Sequence, residues 1–225
     1  MARLVRDALA LRLEAQGLTA LDTTTSIDFM IEAVSSEQPD IAAHAAPDGK
    51  VTILFSDIED STLMTERLGD QRWLRVLRAH NSLFRSLVRS HGGFEVKNQG
   101  DGFMLVFADS RRAVECAVAI QRELAGRALL EGERVRVRMG LHAGEAIRED
   151  GDFFGRSVIL AARIAAVASG GEILVSEELK ERAERSGNGG AAVPVGFDAA
   201  HELELKGLTG THRVYRANWE QPVVA

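Results

Sequence analysis

The stretch FEVKNQGDGFMLVF, residues 94–107, sets two alternating apolar runs around a turn holding Gly100 and Gly102, and it predicts an antiparallel β-hairpin. Helical patterns run on either side of it. The chain is thereby committed to a sheet with helices packed on one or both faces, an α+β fold. VTILF (51–55) predicts a buried strand ending at Phe55, and residues 70–93 predict a helix with Trp73, Leu77, Phe84 and Leu87 on one face and Gly92 past its end. Helices are expected over 110–129 and 156–168. Strands are expected through Val135, Val137, Met139 and Leu141, through EILV (172–175), and as a pair within 201–217, with a short helix at 176–184. The hairpin turn needs glycines, which take positive φ without steric cost, but it needs neither Lys97 nor Asp101. Two opposite charges at one sheet edge suggest a site.

The remaining bounds are broad. With 225 residues and 45% hydrophobic content, the chain can bury one substantial core with an appendage. The pattern changes near residues 45–50: before it, Leu4, Ala8, Leu11 and Ala15 recur at helical spacing without recognisable chemistry. This gives an N-terminal helical or regulatory segment at 1–47. A net charge of −6 and scattered arginines argue against nucleic acid as a partner. The single Cys116 excludes a disulfide framework and a thiolate metal cluster. The longest apolar stretch, SVILAARIAAVAS (157–169), is interrupted by Arg163 and too short to span a bilayer, and there is no compact apolar signal core. The expectation is a cytoplasmic protein without a membrane span.

Four places carry candidate chemistry. In LFSDIEDST (54–62), the strand ends at Phe55, Asp57 stands at the turn, and a helix begins near Ser61, whose hydroxyl with that of Thr62 and the first backbone N–H groups can cradle an anion. The plain alternative is that Asp57 or Asp60 only caps the helix. If this strand lies beside the hairpin, Asp57 meets Asp101, and two hard oxygen ligands without imidazole or thiolate favour Mg²⁺ or Mn²⁺. His142 is expected to be structural. Asp152 and Arg163, in GDFFGRSVILAARIAA (151–166), form the third place, and for a lone arginine there the default is pairing with a structural carboxylate. The fourth is Arg138, which precedes Met139 on an alternating strand, points off the apolar face and has solvent as its default destination.

In order, F-S-D-I-x-x-S-T, K-x-x-G-D-G-F, R-x-G-L-H-x-G and D-x-x-G-x-x-V-x-x-A-A-R resemble the catalytic domain of class III nucleotidyl cyclases, adenylyl and guanylyl, of the bacterial adenylyl type. The resemblance covers about residues 48–217 and leaves 218–225 as a tail. The GGDEF string of the related diguanylate cyclases is absent. The resemblance implies a ferredoxin-like or palette-type, antiparallel-rich sheet flanked by helices. It implies that Asp57, Asp101 and the Ile58 carbonyl hold two divalent cations, that Lys97 and Asp152 read the purine, that Arg163 binds the α-phosphate in the transition state, and that Arg138 contacts the triphosphate. Lys206, in ELKGL, matches a phosphate-contacting lysine more loosely. A lysine that donates to N1 of adenine and an aspartate that accepts from its amino group imply ATP.

The implied reaction is two-metal attack of the ribose 3′-oxygen on the α-phosphorus, with pyrophosphate leaving, at sites shared across a homodimer interface. One chain would give the metal aspartates, the other Lys97, Asp152 and Arg163. No side chain stands out as general base. The family usually has asparagine four residues before the transition-state arginine to position the ribose, and here that position is Ile159, which cannot make the hydrogen bond. A slow cyclase is expected. Two other readings stand beside it: a degenerate nucleotide-binding regulatory module, and a cyclase of altered base choice.

Overall fold

The computed structural model describes residue 46 and residues 48–126, 133–149, 152–185 and 195–220. The expected N-terminal helix, the end of the 110–129 helix and most of the C-terminal tail lie outside these residues. In chain order the elements are β1 (Val51–Ile58), α1 (Ser61–Leu68), α2 (Asp70–Ser90), β2 (Phe94–Gln99), β3 (Gly102–Phe107), α3 (Ser110–Gly126), β4 (Val137–Gly144), β5 (Ile147–Glu149), β6 (Asp152–Phe154), α4 (Arg156–Val167), β7 (Ile173–Ser176), α5 (Glu177–Arg185), β8 (Gly196–Phe197), β9 (His201–Glu204) and β10 (Thr211–Asn218). The described strands make one sheet in the order β2-β3-β1-β4-β7-β10-β8, with β9 also on β10, and a separate β5–β6 pair. All pairings are antiparallel except β4 with β7.

The expected hairpin forms as β2–β3, and β3 lies against β1. Gly100 takes φ 66 at the turn, whereas Gly102 is the first residue of β3 and not part of the turn conformation. The central strands β1, β3 and β4 are buried on both faces, because side chains alternate and each face meets helices. Leu54, Ile58, Phe103 and Leu105 pack with Phe84 of α2, Ala117 of α3 and Leu179 of α5. On the other face Val51, Ile53, Phe55 and Met104 pack with Ala161, Ala162 and Ala165 of α4. Alanines allow α4 to sit close to the sheet, and Gly140 completes the fit: a Cβ there would collide with the backbone of Ala165.

In α2 the fully buried line is Val76, His80, Phe84 and Val88, with Trp73, Leu77 and Leu87 half-buried beside it. His80 thus lies in the core. Its ring is 4.3 Å from Phe84, its Nδ1 is 2.9 Å from Asn81 Oδ1, and burial pushes its pKa down to about 4.

Candidate active site

β1 runs past Phe55 to Ile58, because β4 pairs with it through Asp57↔Arg138 and Ile58↔Val137, and Glu59 N–H continues the ladder to Arg136 O at 2.9 Å. The expected strand end at Phe55 is therefore corrected, and Asp57 is a strand residue, not a turn residue. Asp57 and Arg138 face the α4 side as direct cross-strand neighbours. Arg138 donates to Asp57 Oδ2 from Nη2 at 2.6 Å and from Nε at 3.1 Å. The expectation that Arg138 faces solvent fails: it is 8% exposed, since both faces of the central strand β4 are covered. The capping alternative also fails. Asp60 occupies the N-cap of α1 at φ 56 without a side-chain cap bond, and Asp57 is engaged with Arg138.

Asp101, at the β2–β3 turn, comes within electrostatic reach of Asp57, and Ser61 at the start of α1 hydrogen-bonds to it. Burial, and next the Asp101 charge, push the Asp57 carboxyl up to about 6 against the pull of Arg138. Burial also raises Asp101, against the Ser61 hydrogen bond. Asp57 Oδ1 and Asp101 Oδ2 are both buried without a hydrogen-bond partner among the described residues. Buried acceptors of this kind are costly unless a cation or donor meets them. Among the described residues no group of three or more His, Cys, Asp or Glu gathers, so a zinc-type cage is not formed here. Two hard carboxylate oxygens that leave other positions open fit Mg²⁺ or Mn²⁺. The main chain of Ile58, the last residue of β1, is adjacent.

A second group forms at the sheet edge. The β2–β3 register shifts between Glu95 and Lys97, and this bulge sets Lys97 opposite Met104, whose side chain lies on the α4 face. Lys97 Nζ donates to Asp152 Oδ2 at 2.6 Å, and Asp152 Oδ1 accepts from Phe153 N–H at 2.8 Å. Asp152 is fully buried. It sits on β6, whose short pairing with β5 had no clear signal in the sequence. Ile159 and Arg163 lie one turn apart on α4, both half-buried on the flank beside its alanine face. Thr62 is exposed on α1, and Lys206 is exposed between β9 and β10. His142 is structural as expected, its Nδ1 2.8 Å from Ser176 Oγ, with burial pushing its pKa down to about 4.

Residues 43–216 match the family model of the adenylate and guanylate cyclase catalytic domain. The chain belongs to that family. The adenylate cyclase of Mycosarcoma maydis is 33% identical over 160 residues, which cover 60% of this chain and 6% of that protein. The chain spans less than a tenth of the length of the fungal adenylate cyclases it matches. Among solved structures, adenylate cyclases of Trypanosoma brucei in their monomeric state superpose with a TM-score of 0.69 at 25% identity, over 81% of this chain and 94% of that one. The guanylate cyclase domain of RhGC from Catenaria anguillulae, in complex with GTP, superposes with a TM-score of 0.63 at 20% identity, over 76% of this chain and 96% of that one. This cyclase fold therefore occurs with either purine specificity, and base choice must be argued from side chains. Cyclase domains of this family generally use divalent metal ions and bind nucleotide. No helix among the described residues is long and apolar enough to cross a membrane.

Proposed function

We propose that this cyclase domain converts ATP to 3′,5′-cyclic AMP and pyrophosphate, at sites shared between two copies of the chain, in the cytoplasm. The observation that carries this reading is the pair of buried carboxylate oxygens, Asp57 Oδ1 and Asp101 Oδ2, left without hydrogen-bond partners among the described residues, close to the start of α1. Asp57, Asp101 and the Ile58 carbonyl would hold two divalent cations, Mg²⁺ or Mn²⁺, which supply charge neutralisation at the triphosphate and at the attacking ribose 3′-oxygen. Ser61 and Thr62 would add hydroxyl and backbone donors to the phosphates. Lys97 and Asp152, already paired at 2.6 Å, would present a donor and an acceptor to adenine. Arg163 would neutralise the charge developing on the α-phosphate, and Lys206 would contact the phosphates.

The sharing between chains is supported by how the groups divide. One group lies at the β1 end and the hairpin turn; the other lies on the edge strand, β6 and α4. The α4 face of the sheet carries a single described helix, and Ile147 and Val167 stand exposed at 65% and 45%. A second copy would cover this side as a symmetric dimer. Mixing Asp57→Ala protein with Arg163→Ala protein, each inactive alone, should restore cyclic AMP formation to about a quarter of wild type, because half of randomly exchanged dimers carry one unmutated site. No recovery, with subunit exchange shown separately, would place each site within one chain.

A further inference from the structure

Arg138 is engaged by a carboxylate of this site. It is the cation bonded to the buried Asp57, its two N–H donors both end on Oδ2, and its charge is also felt by Asp101. The same two carboxylates each have one oxygen, Asp57 Oδ1 and Asp101 Oδ2, that meets no hydrogen-bond donor among the described residues. A guanidinium and a divalent cation therefore contend for one carboxylate in a region that excludes water, where charge interactions are strong. We propose that Arg138 is an internal counter-ion that competes with divalent metal for Asp57 and so keeps metal affinity low until a triphosphate draws the guanidinium away. The inference rests on the assignment of Asp57 and Asp101 as metal ligands.

Three features make the competition specific. Cross-strand pairing of Asp57 with Arg138 holds the guanidinium in place without a flexible loop. At 8% exposure for Arg138 and 0% for Asp57, solvent screens the pair little. The planar fork of arginine gives two donors to one oxygen and leaves Oδ1 directed elsewhere. A triphosphate offers the guanidinium more negative charge than one carboxylate does. Its arrival with metal would thus free Oδ2 as the ions bind, coupling the two ligands through one side chain.

The test is Mn²⁺ binding to the full chain at pH 8 without nucleotide, read as free Mn²⁺ by electron paramagnetic resonance. Arg138→Gln removes the charge but keeps an N–H donor for Oδ2, and should bind Mn²⁺ on the order of tenfold tighter than wild type. Its melting temperature should also rise more on Mn²⁺ addition. Arg138→Lys keeps the charge and should stay close to wild type, which a merely structural arginine would not predict. If Arg138→Gln does not fold, Arg138→Met provides the same comparison. Equal or weaker binding in the uncharged variant overturns the counter-ion role while leaving the metal site standing. Absence of Mn²⁺ binding in wild type and variants alike overturns both, and loss of binding in Asp57→Asn identifies the site.

Discussion

Replacing Asp101 with asparagine should stabilise the protein in the absence of metal while removing its response to metal. Ionising Asp57 with its pKa moved from 3.8 to about 6 is opposed by roughly 3 kcal/mol, at about 1.4 kcal/mol per unit. Burial is the first cause and the Asp101 charge the second, so the substitution recovers the smaller share, about 1 kcal/mol. For a domain of this size that corresponds to roughly 2–4 °C in melting temperature. The sign follows from linkage. A carboxyl whose pKa is raised on folding contributes its stability below pH 3.8 and loses it as pH rises through 6. The gain from Asp101→Asn should therefore be present at pH 8 and nearly absent at pH 5. Thermal melts with EDTA and with Mn²⁺ at both pH values measure it. A variant less stable than wild type at pH 8, or an equal gain at pH 5, would refute the reasoning that two like charges share this pocket.

Ile159→Asn should raise kcat by about tenfold with little change in KM, because the added amide acts mainly in the transition state. Ile159 is half-buried and belongs to none of the core clusters formed by the described residues, so the melting temperature should hold; a fall in both would show the isoleucine to be integrated into the site. The double change Lys97→Gln with Asp152→Asn keeps a neutral hydrogen-bonded pair in place of the 2.6 Å ion pair and avoids stranding the fully buried Asp152. ATP kcat/KM should drop on the order of tenfold or more with the fold retained, and unchanged ATP kinetics would remove the purine-reading role.

Much of the fold was legible because its signals are local. Period-two alternation and glycine gave the β2–β3 hairpin, and period-3.6 patterns gave α2, α3 and α4. What escaped depended on neighbours far along the chain. Arg138 looks solvent-facing by alternation within β4, yet β4 is central and α4 covers its second face. The partner of Arg138 was written in the register, since Asp57 and Arg138 are opposite each other, but register cannot be read until β1 and β4 are known to pair. The strand containing Asp57 is longer than its apolar run because pairing, not hydropathy, ends it. β5–β6 is too short to show a period, and His80 is a polar letter in a buried stripe made tolerable by remaining neutral. Asp57, Asp101, Lys97 and Asp152 were all readable as candidates, and so was their grouping into two sets. The ion pairs that each set makes, Arg138 on Asp57 and Lys97 on Asp152, were not.

Cyclisation of ATP by means of Asp57 and Asp101 can be tested directly. Purified full chain and its Asp57→Ala variant, each given ATP, GTP, CTP or UTP with Mn²⁺ or Mg²⁺, can be assayed for the matching cyclic nucleotide. Cyclic AMP should form from ATP in preference to the other three products, and its formation should be abolished in Asp57→Ala while the fold persists. No cyclic nucleotide from any substrate, or formation undiminished in Asp57→Ala, would contradict that mechanism.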